Sequence, residues 1–155
     1  MHPQSHTAFT YIDLFSGIGG FRLALDALGG RCVNFSEINR DAIQTYCANF
    51  NEEAQQNLGD ITQIKAIAPH DILTAGVPCQ SWSIAGRNLG FDDDRGQLWN
   101  DTLFLLNQSR PKAFIFENLK GLVDPRNQTA LQFILRRIKE AGYFAKHFVL
   151  TSSDY

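Results

Sequence analysis

The sequence predicts an α/β protein: one doubly wound, largely parallel sheet with helices on both faces. Three observations predict it. Short apolar runs alternate with stretches of helical periodicity along the whole chain. The first apolar run leads straight into a glycine-rich turn and then a helix. No linker, internal repeat or low-complexity segment divides the 155 residues, a length that one core can fill.

The elements follow in order. "FTYIDLFS" reads as a first strand ending near Phe15. Phe21, Ala24, Leu25 and Leu28 then recur at the spacing of one helix face, and Gly29-Gly30 stops that helix. "CVNFSE" is a second strand. Ile43, Tyr46, Cys47 and Phe50 mark the next helix, with Asn39 as its N-cap. A short third strand is expected to end near Gly59, with a weak helical stretch from Ile61. "DILTAGV" is a fourth strand, and "NLGFDDDRG" a loop. Leu98, Thr102, Leu105 and Leu106 define a helix, and "AFIFEN" a fifth strand. Leu131, Ile134, Leu135 and Ile138 form a last helical stripe, closed by Gly142. "FAKHFVL" is read as a sixth strand.

Composition narrows the class. Hydrophobic residues make up 44% and charged residues 19%, which disfavours disorder, collagen and coiled coil. No run approaches the ~18 apolar residues of a membrane span. The opening "MHPQSHTAFT" lacks the basic and apolar segments of a secretory signal, so a cytoplasmic location is expected. Cys32, Cys47 and Cys79 are odd in number and form no C-x-x-C pair. That suggests reduced thiols, and neither a zinc site nor a disulfide framework. A net charge of −2 argues against a self-sufficient nucleic-acid binder.

Five constellations carry chemistry. "DLFSGIGGF", Asp13 to Phe21, is a glycine turn between strand and helix. It is open to close ligand approach, with a helix N-terminus behind it. It is not the dinucleotide G-x-G-x-x-G pattern. Glu37 ends the second strand about 20 residues on, where α/β nucleotide folds hold ribose hydroxyls. Asp60 and Ile61 in "LGDI" pair an acceptor for an exocyclic amine with an apolar contact, which suits adenine. Cys79 in "GVPCQSWS" follows the fourth strand, on the edge where such sheets gather ligands. A partly exposed thiol there can be activated, whereas Cys32 and Cys47 read as core packing. Glu117 and Asn118 end the fifth strand, which should lie about 5 Å from the fourth, placing Cys79 beside Glu117.

Together "DLFSGIGGF", Glu37, "GDI", "GVPCQSWS", "RGQLW" and "FENL" resemble the DNA (cytosine-5) methyltransferase family, in order and at familiar spacing over nearly the whole chain. The resemblance implies a Rossmann-like fold that uses S-adenosylmethionine. Asp13, Phe15, Gly17, Gly19 and Gly20 would line its pocket. Glu37 would hold the ribose, Asp60 and Ile61 the adenine, and Pro78 and Leu98 would complete the wall. Cys79 would add to carbon 6 of a flipped cytosine, with Glu117 acting at ring nitrogen 3 and Asn118 orienting nearby groups. "SWSIAGRNLGFDDDRG" looks like the family's mobile catalytic loop, with hinge candidates Gly86, Gly90 and Gly96, and Gln80, Ser83 and Arg87 would contact double-stranded DNA. Restriction–modification is the implied setting, with no metal.

The chain departs from the family in one respect. It stops at "LTSSDY", before the arginine-bearing strand, target-recognition region and final helix that members carry. The expectation is therefore a partial catalytic and cofactor-binding domain over 1–155, incomplete at its C-terminal end. It would need a complementary C-terminal fragment or subunit. Two alternatives stand beside it: a transfer-RNA cytosine-5 methyltransferase of the same fold, and a non-catalytic nucleotide-binding remnant.

Overall fold

A computed structural model describes residues 7–78, 94–151 and 153. Its strands are β1 (Phe9–Leu14), β2 (Gly30–Ser36), β3 (Ile72–Gly76) and β4 (Ala113–Glu117), all parallel, in the order β2-β1-β3-β4. The helices are α1 (Gly20–Ala27), α2 (Arg40–Phe50), α3 (Asp94–Ser109) and α4 (Gln128–Glu140). The chain leaves β1 for β2 on one side and returns to β3 on the other. This reversal opens a crevice at the carboxyl ends of β1 and β3, where ligands bind in such sheets.

Side chains alternate across the sheet, and each set finds its own cover. Ile12, Leu14, Leu73 and Ala75 pack with Leu103, Leu106, Ile134 and Ile138 of α3 and α4. On the opposite face Tyr11 and Phe35 are fully buried, and Phe35 stacks on Tyr46 of α2 with ring centroids 4.1 Å apart. Asn39 caps α2 through Oδ1, which accepts the Ala42 N–H. At the amino ends of the strands, the Thr10 N–H and hydroxyl donate to Asp71 Oδ2, and Lys112 pairs with Asp71 Oδ1. Among the described residues, no helix is long and apolar enough to cross a membrane.

Three expectations are corrected. The segment ending at Gly59 is not a strand. It makes a single bridge, Asn57 to Phe35, after a short 3-10 turn over Ala54–Gln56. Its sequence "EEAQQN" offers no apolar alternation to bury. The expected strand "FAKHFVL" is irregular, with Phe144 and Phe148 89% and 77% exposed. A strand needs a ladder partner, and among the described residues nothing pairs with it. The end of the predicted loop "NLGFDDDRG" belongs to α3, so the hinge candidate Gly96 lies buried in a helix.

Candidate active site

The glycine turn folds back tightly over the carboxyl end of β1. Phe15, Gly17 and Gly19 take positive φ values of 53°, 53° and 98°. At Gly19 the reason is close packing as well as backbone shape, since a Cβ there would lie 2.2 Å from the Phe50 ring and 3.2 Å from Tyr46. α2 thus presses on the turn from behind. Gly17 and Gly20 face open space, where a Cβ would meet nothing within 4 Å. α1 begins at Gly20, and its N-cap Gly19 has no side chain to offer, so its first N–H groups are not spoken for by a side-chain cap.

Glu37 ties this turn to its surroundings. Its Oε2 accepts the Gly17 N–H at 2.9 Å, and its Oε1 accepts the N–H groups of Ile38 and Asn39 at 2.8 and 2.9 Å. A carboxylate has about four acceptor sites, so three are used and roughly one remains for a ligand hydroxyl. Asp60 stands on the neighbouring turn. Its Oδ1 accepts both the N–H and the hydroxyl of Thr62 at 2.9 Å, and Oδ2 has no partner among the described residues. Ile61 beside it is 4% exposed and joins the core.

Asp13 lies under the turn, fully buried. Its Oδ1 accepts the Thr74 hydroxyl at 2.8 Å, while Oδ2 has no hydrogen-bond partner. Burial pushes its carboxyl up to about 7, against the favourable pull of the Thr74 bond and the Arg22 charge. Asp13 is therefore the floor of the turn and is closed to direct ligand contact as it stands.

The second half of the site is the junction of β3 and β4. Gly76 pairs with Glu117 across the sheet, and the Val77 N–H donates to the Glu117 carbonyl. A Cβ at Gly76 would sit 3.6 Å from both Glu117 Oε2 and the Phe15 carbonyl oxygen. The missing side chain therefore leaves a gap between the glycine turn and the Glu117 carboxylate. Asn118 Nδ2 donates to the Val77 carbonyl at 2.7 Å, anchoring the backbone two residues before position 79. Pro78 and Leu98 are half-buried, and Leu98 packs against the core. Cys79, Gln80, Ser83 and Arg87, with Gly86 and Gly90, lie outside the described residues.

One edge thus gathers a glycine turn, the Glu37 and Asp60 carboxylates and the Glu117–Asn118 corner. The model of the C-5 cytosine-specific DNA methylase family matches residues 9–155. The chain belongs to that family. Its curated relatives include the Type II methylase M.HgiEI of Herpetosiphon aurantiacus, 55% identical over 148 residues. That match covers 95% of this chain and 34% of the relative. The Type II methyltransferase M.HpaII of Haemophilus parainfluenzae is 46% identical, covering 92% of this chain and 40% of the relative. Among solved structures, a prophage-encoded E. coli chain described as a DNA modification methyltransferase superposes with a TM-score of 0.66 at 27% identity. It is covered to 38% and this chain to 86%. The chain thus spans roughly a third to under a half of its relatives' length, and their N-terminal portion is the part it matches.

Membership accounts for the fold, an incomplete Rossmann-like sheet. The cysteines read from sequence as core packing, Cys32 and Cys47, are both half-buried. Burial pushes the Cys32 thiol up to about 11, and its sulfur contacts the Asn34 carbonyl and the Tyr46 hydroxyl. Cys47 is half-buried on α2. The sequence reading missed Asn57, whose side chain bonds both backbone groups of Glu37 and the N–H of Gly59, next to Asp60. A lone Asn before Leu-Gly carries no periodic signal. It also missed Gly76, although a glycine closing an apolar run was a visible cue.

Proposed function

We propose that the chain is the cofactor-binding and catalytic part of a DNA cytosine-5 methyltransferase, acting in the cytoplasm on double-stranded DNA together with a C-terminal recognition part. The observation that carries this reading is the Gly76–Glu117 pairing. It sets the Glu117 carboxylate over the open gap beside the glycine turn and next to Gly76, which precedes Cys79 by three residues along the chain.

S-adenosylmethionine fits the residues present and, when bound, supplies an electrophilic methyl group. Glu37 would take a ribose hydroxyl on its remaining acceptor site, and Asp60 Oδ2 would accept the adenine amine. The uncapped start of α1 suits a carboxylate. Phe15, Ile61, Pro78 and Leu98 would supply apolar walls, with Gly17, Gly19 and Gly20 keeping the turn open.

Carbon 5 of cytosine is a poor nucleophile. In the proposed reaction the Cys79 thiolate forms a bond to carbon 6 and the ring becomes enamine-like, which is covalent catalysis. Glu117 donates a proton or hydrogen bond to ring nitrogen 3 as charge builds there. Asn118 holds the Val77 carbonyl and with it the approach to Cys79. Once carbon 5 is alkylated, loss of its proton and cleavage of the Cys79 sulfur–carbon bond restore aromaticity. The base must leave the duplex for this, and Gln80, Ser83 and Arg87 are the proposed contacts at the vacated position.

Labelled methyl transfer to duplex DNA and to a transfer-RNA transcript tests the reading. The chain is joined to the C-terminal part of M.HgiEI, and cofactor binding checks that the fusion folds. Transfer to DNA, lost in Cys79→Ser, is expected. Transfer to the RNA alone, or none from a fusion that binds cofactor, contradicts it.

A further inference from the structure

Asn57 has no place in the chemistry above, yet it bonds the backbone of Glu37 and of Gly59, the residue before Asp60. Its Oδ1 accepts the Glu37 N–H at 3.0 Å and the Gly59 N–H at 3.0 Å. Its Nδ2 donates to the Glu37 carbonyl at 3.0 Å. One amide therefore satisfies both backbone groups of Glu37 and one of the residue preceding Asp60. Two further bonds brace the same seam. The Leu58 N–H donates to the Phe35 carbonyl at 2.7 Å, and the Ser36 hydroxyl donates to the Gly59 carbonyl at 2.6 Å. No strand runs through residues 54–60, so no ladder fixes this segment against β2. The side chain of Asn57 does what a ladder would do.

The amide's two ends are not interchangeable. Its oxygen faces two donors and its nitrogen faces an acceptor, so only Asn or an equivalent carboxamide satisfies all three groups. We propose that Asn57 is a positioning residue that fixes the spacing of Glu37 and Asp60. It thereby sets affinity for the adenosine half of the cofactor. The inference rests on the nucleoside reading of those two carboxylates. Removing the amide strands two N–H groups and a carbonyl, and lets the Gly59–Asp60 turn shift relative to Glu37.

Calorimetric binding of S-adenosylhomocysteine and of methylthioadenosine tests it, at a temperature where circular dichroism shows every variant folded. Asn57→Asp keeps the acceptor and sets an oxygen against the Glu37 carbonyl. It is expected to weaken both ligands by the same factor, about tenfold. Asn57→Ser, smaller and still an acceptor, serves if Asn57→Asp does not fold. The loss is expected to shrink to under about threefold in a Glu37→Ala background, because the two residues act as one unit. Unchanged affinity, or an equal loss in both backgrounds, overturns the proposal alone. Binding of neither ligand by the unmodified chain overturns the cofactor reading and the proposal with it.

Discussion

The two ends of the sheet are built differently. Around β2 and β1 the polar groups are tied inside the chain. Glu37 takes three backbone N–H groups and Asn57 bonds three more backbone groups. Arg22 joins Asp26, Glu52 and the Tyr46 hydroxyl, with its guanidinium over the Phe50 ring. At β4 the same face of the sheet is open. Ile115 is 45% exposed, the 144–150 segment shows Phe144 and Leu150 to solvent, and no described residue bonds the Glu117 carboxylate. The contrast separates two tasks. The β2–β1 half, where the proposed cofactor pocket lies, is prebuilt by local bonds, while the β4 end leaves apolar surface and, among the described residues, an unpaired outer edge, which natural sheets normally cover.

The contrast can be broken or sharpened by mutation, from the largest effect down. Phe35→Ala, at a fully buried ring stacked on Tyr46, is expected to cost about 3–5 kcal/mol in urea unfolding. Gly19→Ala combines a positive φ with overlap on the Phe50 ring, and is expected to cost about 3 kcal/mol and to abolish cofactor binding. Ile115→Ser, on the open face of β4, is expected to stay within about 0.5 kcal/mol. A loss at Ile115 approaching that at Phe35 would show that the β4 edge is covered in solution.

Asp13 gives the comparison a pH dependence. Its folded value, about 7, lies above that of an unfolded aspartate. The native state therefore holds the proton more tightly. The stabilisation is fully present below the unfolded value and is lost as pH rises through about 7. Unfolding free energy is expected to fall by up to about 1.4 kcal/mol per pH unit between those two values. Asp13→Asn, which stays neutral, is expected to flatten that slope. An identical slope in the variant would place Asp13's titration outside the folding equilibrium.

How legible these halves were in the sequence follows from the same difference. β1, β2, β3 and β4 are short apolar runs, the helices α1 to α4 carry helical periodicity, and Asn39 caps α2 as its residue type suggested. The place of Glu37 was legible, since an acid ending the strand after a glycine turn falls beside that turn, where its Oε2 accepts the Gly17 N–H. Asn57 was not, because its role comes from a turn folding against β2 across a gap in sequence. The 144–150 segment was misread because apolar content resembles a strand even where no described residue completes the ladder. Asp13's closure beneath Thr74 was also hidden, since a carboxylate in a glycine-turn motif looks ligand-facing until burial is known.

The central claim is that Cys79 is the nucleophile and Glu117 its partner acid. Intact-protein mass spectrometry on a 5-fluorocytosine duplex with S-adenosylmethionine tests it most directly, using the chain completed by its relative's C-terminal part. The account predicts an adduct on the peptide bearing Cys79, absent in Cys79→Ser and slowed by at least about a hundredfold in Glu117→Gln. An adduct on another residue, or one that forms equally fast without the Glu117 carboxyl, would contradict it.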